Sequence, residues 1–226
     1  MIFTILQADV QAIVLQQSTN ISLVDMAIKG GWIMIPLLLL SIIALYIIGE
    51  RWWTIRQASK QEVNFMDNIR DFITDGKLAS AKHLCQTQST PTARFVEKGL
   101  ERIDRPLEDI HTALENVGNL EIARLERGLP MLATVAGGAP MLGFLGTVIG
   151  MIQAFYNMSQ AGNNIDITLL SGGIYTAMVT TVAGLIVGIT AYFGYNYLNA
   201  RIGNIMRTME RNIIDFIETI REAHKK

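Results

Sequence analysis

Four threonines, Thr147, Thr176, Thr180 and Thr181, are the residues of this 226-residue chain best placed to do chemistry, because of what surrounds them. Between Arg127 and Arg201 the sequence holds one charged residue, Asp166; the rest is apolar, small or neutral polar. A hydroxyl offers one donor and two acceptor sites without a charge. Thr147 on one segment, with Thr176, Thr180 and Thr181 on the next, can therefore line a narrow polar path through apolar surroundings. They cannot take up and release a proton. If protons cross here, an ionisable group has to come from another chain, because neither segment carries a charge to relay a proton and such groups mark proton relays at membrane depth. The competing reading is local: a membrane-helix hydroxyl often bonds a carbonyl one turn back in its own helix. Both readings stand at this point.

Small residues recur beside the threonines. Ala136, Gly143, Thr147, Gly150 and Ala154 fall on one helical face, with Gly146 beside it; Ala177, Thr181, Gly184, Gly188 and Ala191 repeat the habit on the following segment. Lipid gives helices no hydrophobic reason to associate, so small residues that let backbones approach are the expected packing surface. Gly143, Gly146, Gly150, Gly184 and Gly188 are the candidate packing glycines, and Pro140 is a candidate kink, its freed carbonyl satisfied by neighbours. Packing alone, with no ion flow, explains the small residues equally well.

Other chemistry is sparse. His83, His111 and His224 are isolated, and none pairs with another His or Cys at ligand spacing, so no metal or other cofactor is expected. The single Cys85 reads as a small buried hydrophobe and fits a reducing compartment. The glycines around Gly143 are no phosphate loop, since no Gly-Lys-Ser/Thr follows. No nucleophile is paired with a base, which argues against an enzyme. A formal net charge of −1 gives no reason to expect nucleic acid as a partner.

These residues need positioning elements, and the charge pattern supplies them. The runs Leu129–Met158 and Ile167–Leu198 each exceed the roughly 20 residues needed to cross a bilayer, and Gly30–Gly49 is long enough for one more span. The expected fold is all-α and polytopic, with three transmembrane helices, long helices extending into the cytoplasm and a helical cytoplasmic insert. Its parts are an N-terminal periplasmic segment (1–30) with a possible interfacial helix, a first span (31–53), the insert (54–128), a second span (129–158), a short periplasmic turn (159–166), a third span (167–200) and an amphipathic cytoplasmic tail (201–226). The orientation follows from Arg51, Arg56, Lys60, Arg124, Arg127, Arg201 and Arg207 flanking one side of the spans, while the turn has no base. Trp52 and Trp53 form an aromatic belt beside the first positive flank.

Within the insert, Val63, Met66, Ile69 and Ile73 give one helical face ended by Gly76. Lys77–Gln86 gives a second helix, Ser89-Thr-Pro91 a break, Thr92–Ile103 a third helix and Asp104-Arg-Pro106 the start of a fourth, with a bend expected near Gly128 and Pro130. In the tail, Ile202, Met206, Met209, Ile213, Phe216 and Ile220 form an a/d seam that needs a partner surface, either the insert of the same chain or the tails of neighbours.

The segments Ala139-Pro-Met-Leu-Gly-Phe-Leu-Gly-Thr-Val-Ile-Gly150 and Gly173-Ile-Tyr-Thr-Ala-Met-Val-Thr-Thr-Val-Ala-Gly-Leu185, with Ser89-Thr-Pro91 and Gly99-Leu100 in the insert, resemble the MotA/TolQ/ExbB proton-channel family, closest to its ExbB/TolQ branch. The likeness runs from about Gly31 to the tail, and the family's two span threonines fall on Thr147 and Thr181. One position departs: the branch commonly has a glutamate five residues before the second of these, where this chain has Thr176. No role of that glutamate carries over, and the coupling ion, H⁺ or Na⁺, is left open.

What the resemblance implies is an inner-membrane motor subunit driven by the proton-motive force. Copies of the chain would form a homo-oligomeric ring, pentameric in this family. The ring would surround an ExbD- or TolR-like partner whose single span carries an aspartate, and a TonB-like protein would carry the work to the outer membrane. The alternatives are a TolQ-like envelope-maintenance subunit or another stator, and a membrane scaffold that conducts no ions.

Overall fold

The computed structural model describes residues 30–60, 64–88, 90–160 and 167–223, with the side chains of 167–169 excepted. The possible interfacial helix before residue 30, Val63, Asp166 and most of the 159–166 turn lie outside them. The described residues form seven helices and no strand: α1 Met34–Ala58, α2 Phe65–Thr74, α3 Leu78–Thr87, α4 Pro91–Leu100, α5 Leu107–Glu126, α6 Leu129–Gln160 and α7 Ile167–Ala223. The protein is all-helical, and among the described residues three helical stretches are long and apolar enough to span a membrane: α1, α6 and the first half of α7.

Their faces show which medium they meet. Leu38 and Tyr46 of α1, Phe144 and Ile152 of α6, and Ile186 and Phe193 of α7 are all more than half exposed. Isolated exposed hydrophobics are ordinary, but rows of them along three uncharged apolar stretches are the surface that lipid or neighbouring spans cover.

The chain divides into two compact units. The first comprises residues 1–39 and 139–186, the second residues 40–138 and 187–226. In the second unit, α2, α3, α4 and α5 pack in sequence order. Local signals set their ends. Gly76 at φ +73° closes α2 in a Schellman arrangement, the Lys77 N–H donating to the Phe72 carbonyl at 2.8 Å and the Gly76 N–H to the Ile73 carbonyl at 3.1 Å. Thr90 caps α4 by accepting from the Ala93 N–H at 3.3 Å, with Pro91 as first helical residue. The expected third insert helix stops at Leu100, since residues 101–104 are turns, and Pro106 sits just before α5, its ψ of 142° extended, instead of inside the first turn. Gly128, at φ +90°, separates α5 from α6.

The core of this unit is aromatic and aliphatic: Phe65, Phe95, Phe216, Ile110, Leu114 and Ile220 have no accessible surface. Phe216 and Ile220 belong to the tail, so the tail seam docks on the insert of its own chain. A side chain at Gly99 would meet the Phe216 ring and Leu114, and one at Gly118 would lie 3.8 Å from Met209 and 3.9 Å from Ile213. The seam differs from expectation at one position. Met206 is 37% exposed and Ile205, one residue earlier, is buried in its place. A packed stripe wider than a strict a/d seam also takes in Asn212 and Thr219. The third span and the tail are one uninterrupted helix, α7.

Candidate functional site

The site is the α6–α7 pair within the unit containing residues 139–186. The pair is built on missing side chains. A Cβ on Gly184 would lie 2.6 Å from the Ala139 carbonyl oxygen and 2.9 Å from the Gly143 Cα; one on Gly143 would lie 2.9 Å from the Thr180 carbonyl oxygen and 3.1 Å from the Thr181 Cα. These are backbone atoms, which cannot rotate away, so the two helices touch main chain to main chain. A second contact lies nearer the connecting turn. A Cβ on Gly150 would meet the Ala177 Cβ at 2.9 Å, and one on Gly173 would meet the Ala154 Cβ at 2.5 Å.

Thr180 and Thr181 fall into this seam. The Thr180 side chain, 1% exposed, fills the space left by Gly146, where a Cβ would come 2.6 Å from its own. Its hydroxyl donates to the Ala177 carbonyl at 2.7 Å. Thr181, half-buried, donates across to the Gly143 carbonyl at 3.1 Å, so one hydroxyl ties the two helices at their closest approach. Thr147, also half-buried, donates to the Phe144 carbonyl of its own helix at 2.6 Å. Thr176 is half-buried. Thus Thr180 and Thr181 meet Gly143 and Gly146, while Thr147 satisfies its hydroxyl within α6. Gly188 is buried and lies in the other unit. α6 runs unbroken through Pro140.

Gly173 is a packing residue that sequence reasoning did not single out. The signal was present: Gly173, Ala177, Thr180 or Thr181, and Gly184 recur every three or four residues, the spacing of one helical face.

Electrostatically the seam is neutral. Its polar atoms are hydroxyls and carbonyls, and among the described residues no cluster of His, Cys, Asp or Glu gathers where a metal ion could be held. Among the described residues, charged side chains appear only in the other unit. There, Glu121, with its side chain 8% exposed, accepts from Arg94 at 2.7 Å and from Arg124 at 2.6 Å. Arg51 donates to the Arg124 carbonyl at 3.0 Å.

Residues 87–211, which contain the whole seam, match the model of the MotA/TolQ/ExbB proton channel family. The chain belongs to that family. It is 33% identical over 178 residues to the biopolymer transport protein ExbB-like 1 of Synechocystis, an alignment covering 78% of this chain and 70% of that one. It is 38% identical over 102 residues to the Tol-Pal system protein TolQ of Haemophilus influenzae, covering 45% of this chain and 44% of TolQ. With the biopolymer transport protein ExbB of Neisseria gonorrhoeae it shares 41% identity over 76 residues, 34% of each chain. The last two alignments therefore span less than half of either relative. This is a membrane protein of the ExbB/TolQ proton-channel type, with three apolar helices able to span a bilayer.

Proposed function

We propose that the chain is the ring-forming subunit of an inner-membrane motor driven by the proton-motive force. In this reading its second and third spans surround the single transmembrane helix of an ExbD- or TolR-like partner. A TonB-like protein carries the resulting motion to the outer membrane. The amino terminus and the 159–166 turn are periplasmic, and the insert and tail cytoplasmic, as the flanking arginines favour.

One observation carries the reading: the apolar stretches of α6 and α7 are polar where they meet and carry no acid of their own. Between Arg127 and Arg201 the only charge is Asp166, in the connecting turn. A proton path through this pair needs a titratable carboxylate from another chain, and an aspartate on a partner helix supplies it. Thr147, half-buried and bonded only locally, is the hydroxyl of the set that a partner helix reaches most readily; Thr176, Thr180 and Thr181 continue the polar face on α7.

A non-conducting scaffold draws on a specific observation too, because Thr147, Thr180 and Thr181 all donate to backbone carbonyls. Proton flux into vesicles holding the chain with its partner separates the two. The motor reading expects flux that needs both proteins and falls at least tenfold in Thr147→Val with the ring still assembled. Undiminished flux and uptake in that variant, or no flux with the partner present, would leave the scaffold. The match to TolQ keeps envelope maintenance as the alternative output, and uptake by TonB-dependent receptors in a strain lacking this chain decides between them.

A further inference from the structure

Away from the seam, in the unit of residues 40–138 and 187–226, α1 and α7 part around a cavity of about 320 Å³. Two successive helical turns line it, and a close helix contact precedes them. At that contact, Gly194 admits α1 closely: a Cβ there would lie 2.6 Å from the Ile48 Cδ1. One turn on, Trp52 and Tyr197 stack with ring centroids 5.2 Å apart. At the next turn the helices present Arg56 and Arg201. Ile55 and Leu198, 3% and 1% exposed, form an apolar floor, and Ser59 adds a hydroxyl at the rim.

The two arginines differ from the others nearby. Arg51, Arg94 and Arg124 are each paired with a glutamate. Among the described residues, neither Arg56 nor Arg201 has a carboxylate within ion-pairing distance. Arg201 is instead held by Tyr197. Its Nε and Nη2 donate to the Tyr197 hydroxyl at 3.2 and 3.1 Å, and its guanidinium lies 5.4 Å from the ring centroid. Tyr197 thus fixes the orientation of a cation that meets no acid among the described residues.

Two guanidiniums with no carboxylate partner among the described residues, beside an aromatic-walled apolar cavity, match an anion with an apolar body. The guanidinium fork suits phosphate oxygens. The level is also right. Arg201 is the first charge after the third apolar segment, Arg56 follows Trp52 and Trp53 at the end of the first, and Trp and Tyr favour the headgroup zone. A basic pocket between membrane helices at that level is suited to an anionic headgroup.

We propose that this cavity binds the phosphate of an anionic phospholipid, clamped between Arg56 and Arg201. The acyl chains then lie on the apolar surfaces of the spans, and the bound lipid ties α1 to α7 beside the Trp52–Tyr197 stack. The site is independent of the threonine seam and of what the motor drives.

Native mass spectrometry of the full chain in detergent tests it, with phosphatidylglycerol, phosphatidylcholine and inorganic phosphate as separate probes. The expected result is retained phosphatidylglycerol, at least tenfold preferred over phosphatidylcholine and not displaced by millimolar phosphate. Arg56→Gln with Arg201→Gln should weaken retention roughly 30-fold, and Arg56→Gln alone about fivefold, as the loss of two and of one interfacial arginine implies. Arg221→Gln, far along the tail, should bind like the parent. If the double variant does not fold, the single variant decides. Equal retention of both lipids, displacement by phosphate, or unchanged binding in a folded Arg56→Gln variant would overturn the proposal.

Discussion

At Gly143 the main chains of α6 and α7 touch; at Gly99 and Leu114 the neighbouring helix is met through the ring of Phe216. The same chain holds its helices together in two ways. In the 139–186 unit the contact is made by removing side chains, and a hydroxyl bonded to a carbonyl adds direction. In the other unit it is made by large side chains that fill the interior and by an arginine pair around Glu121. The difference follows from the medium. In water, burying a phenylalanine or leucine stabilises by about 1.5–3 kcal/mol, so bulk is useful. Against lipid tails that term vanishes, and what remains is close van der Waals approach and interhelical hydrogen bonds.

The largest expected effect breaks the water-facing side of this comparison. Phe216→Ala should cost about 3–5 kcal/mol, the range for emptying an aromatic site in a packed core. Chemical denaturation of the full chain in detergent reads it. The same variant can be followed at Cys85, which is 2% exposed and whose thiol is pushed up to about 12, first by burial and then by the nearby Glu97 charge. A thiol raised that far stays protonated at pH 8, so the parent should resist maleimide, and Phe216→Ala should make Cys85 label at least tenfold faster. Equal labelling rates would mean that the tail does not close that core.

A smaller loss is expected in the seam. Gly184→Ala introduces a carbon 2.6 Å from the Ala139 carbonyl oxygen, so the helices must separate, at about 1–3 kcal/mol. Gly137→Ala, on the same α6 but with nothing within 4 Å of the added carbon, should be neutral or slightly stabilising, because alanine favours helix by up to about 1 kcal/mol. Thermal melts of the two variants side by side sharpen the contrast, and similar melting points would remove the main-chain contact as an explanation.

The smallest effect separates packing from conduction. Thr181→Val removes the hydrogen bond to the Gly143 carbonyl and should lower stability by only about 0.5–1.5 kcal/mol. Thr134→Val, whose hydroxyl donates to Pro130 within its own helix, serves as the control. Under the motor reading, coupled transport falls far more in Thr181→Val than that stability loss accounts for. If transport follows stability alone, Thr181 is a packing residue.

Much of the fold is legible in the amino-acid sequence because its signals are local. Gly76 ends α2 because the left-handed conformation there suits glycine, and Thr90-Pro91 opens α4 because a hydroxyl and a missing N–H satisfy a helix start. The tail seam is legible to within one residue. Its period places Met209, Ile213, Phe216 and Ile220 inside, but not the choice of Ile205 over Met206, which depends on the surface of the insert it meets. The third span continues into the tail as one helix, α7, because the hydrogen bonds inside a helix do not depend on the medium outside it.

By itself the sequence determined the three apolar spans, the asymmetry of the charges that flank them and the absence of an acid in the last two. These are properties of residues taken singly or in runs, and composition carries them. Only the tertiary structure decided which small residues meet which: Gly184 against Ala139 and Gly143, Gly173 against Ala154, and Thr181, not Thr147, bonded across the seam. A helical period says which residues share a face. The rotation of one helix about its axis against the next depends on the sum of contacts along both, and no single stretch of sequence contains that sum.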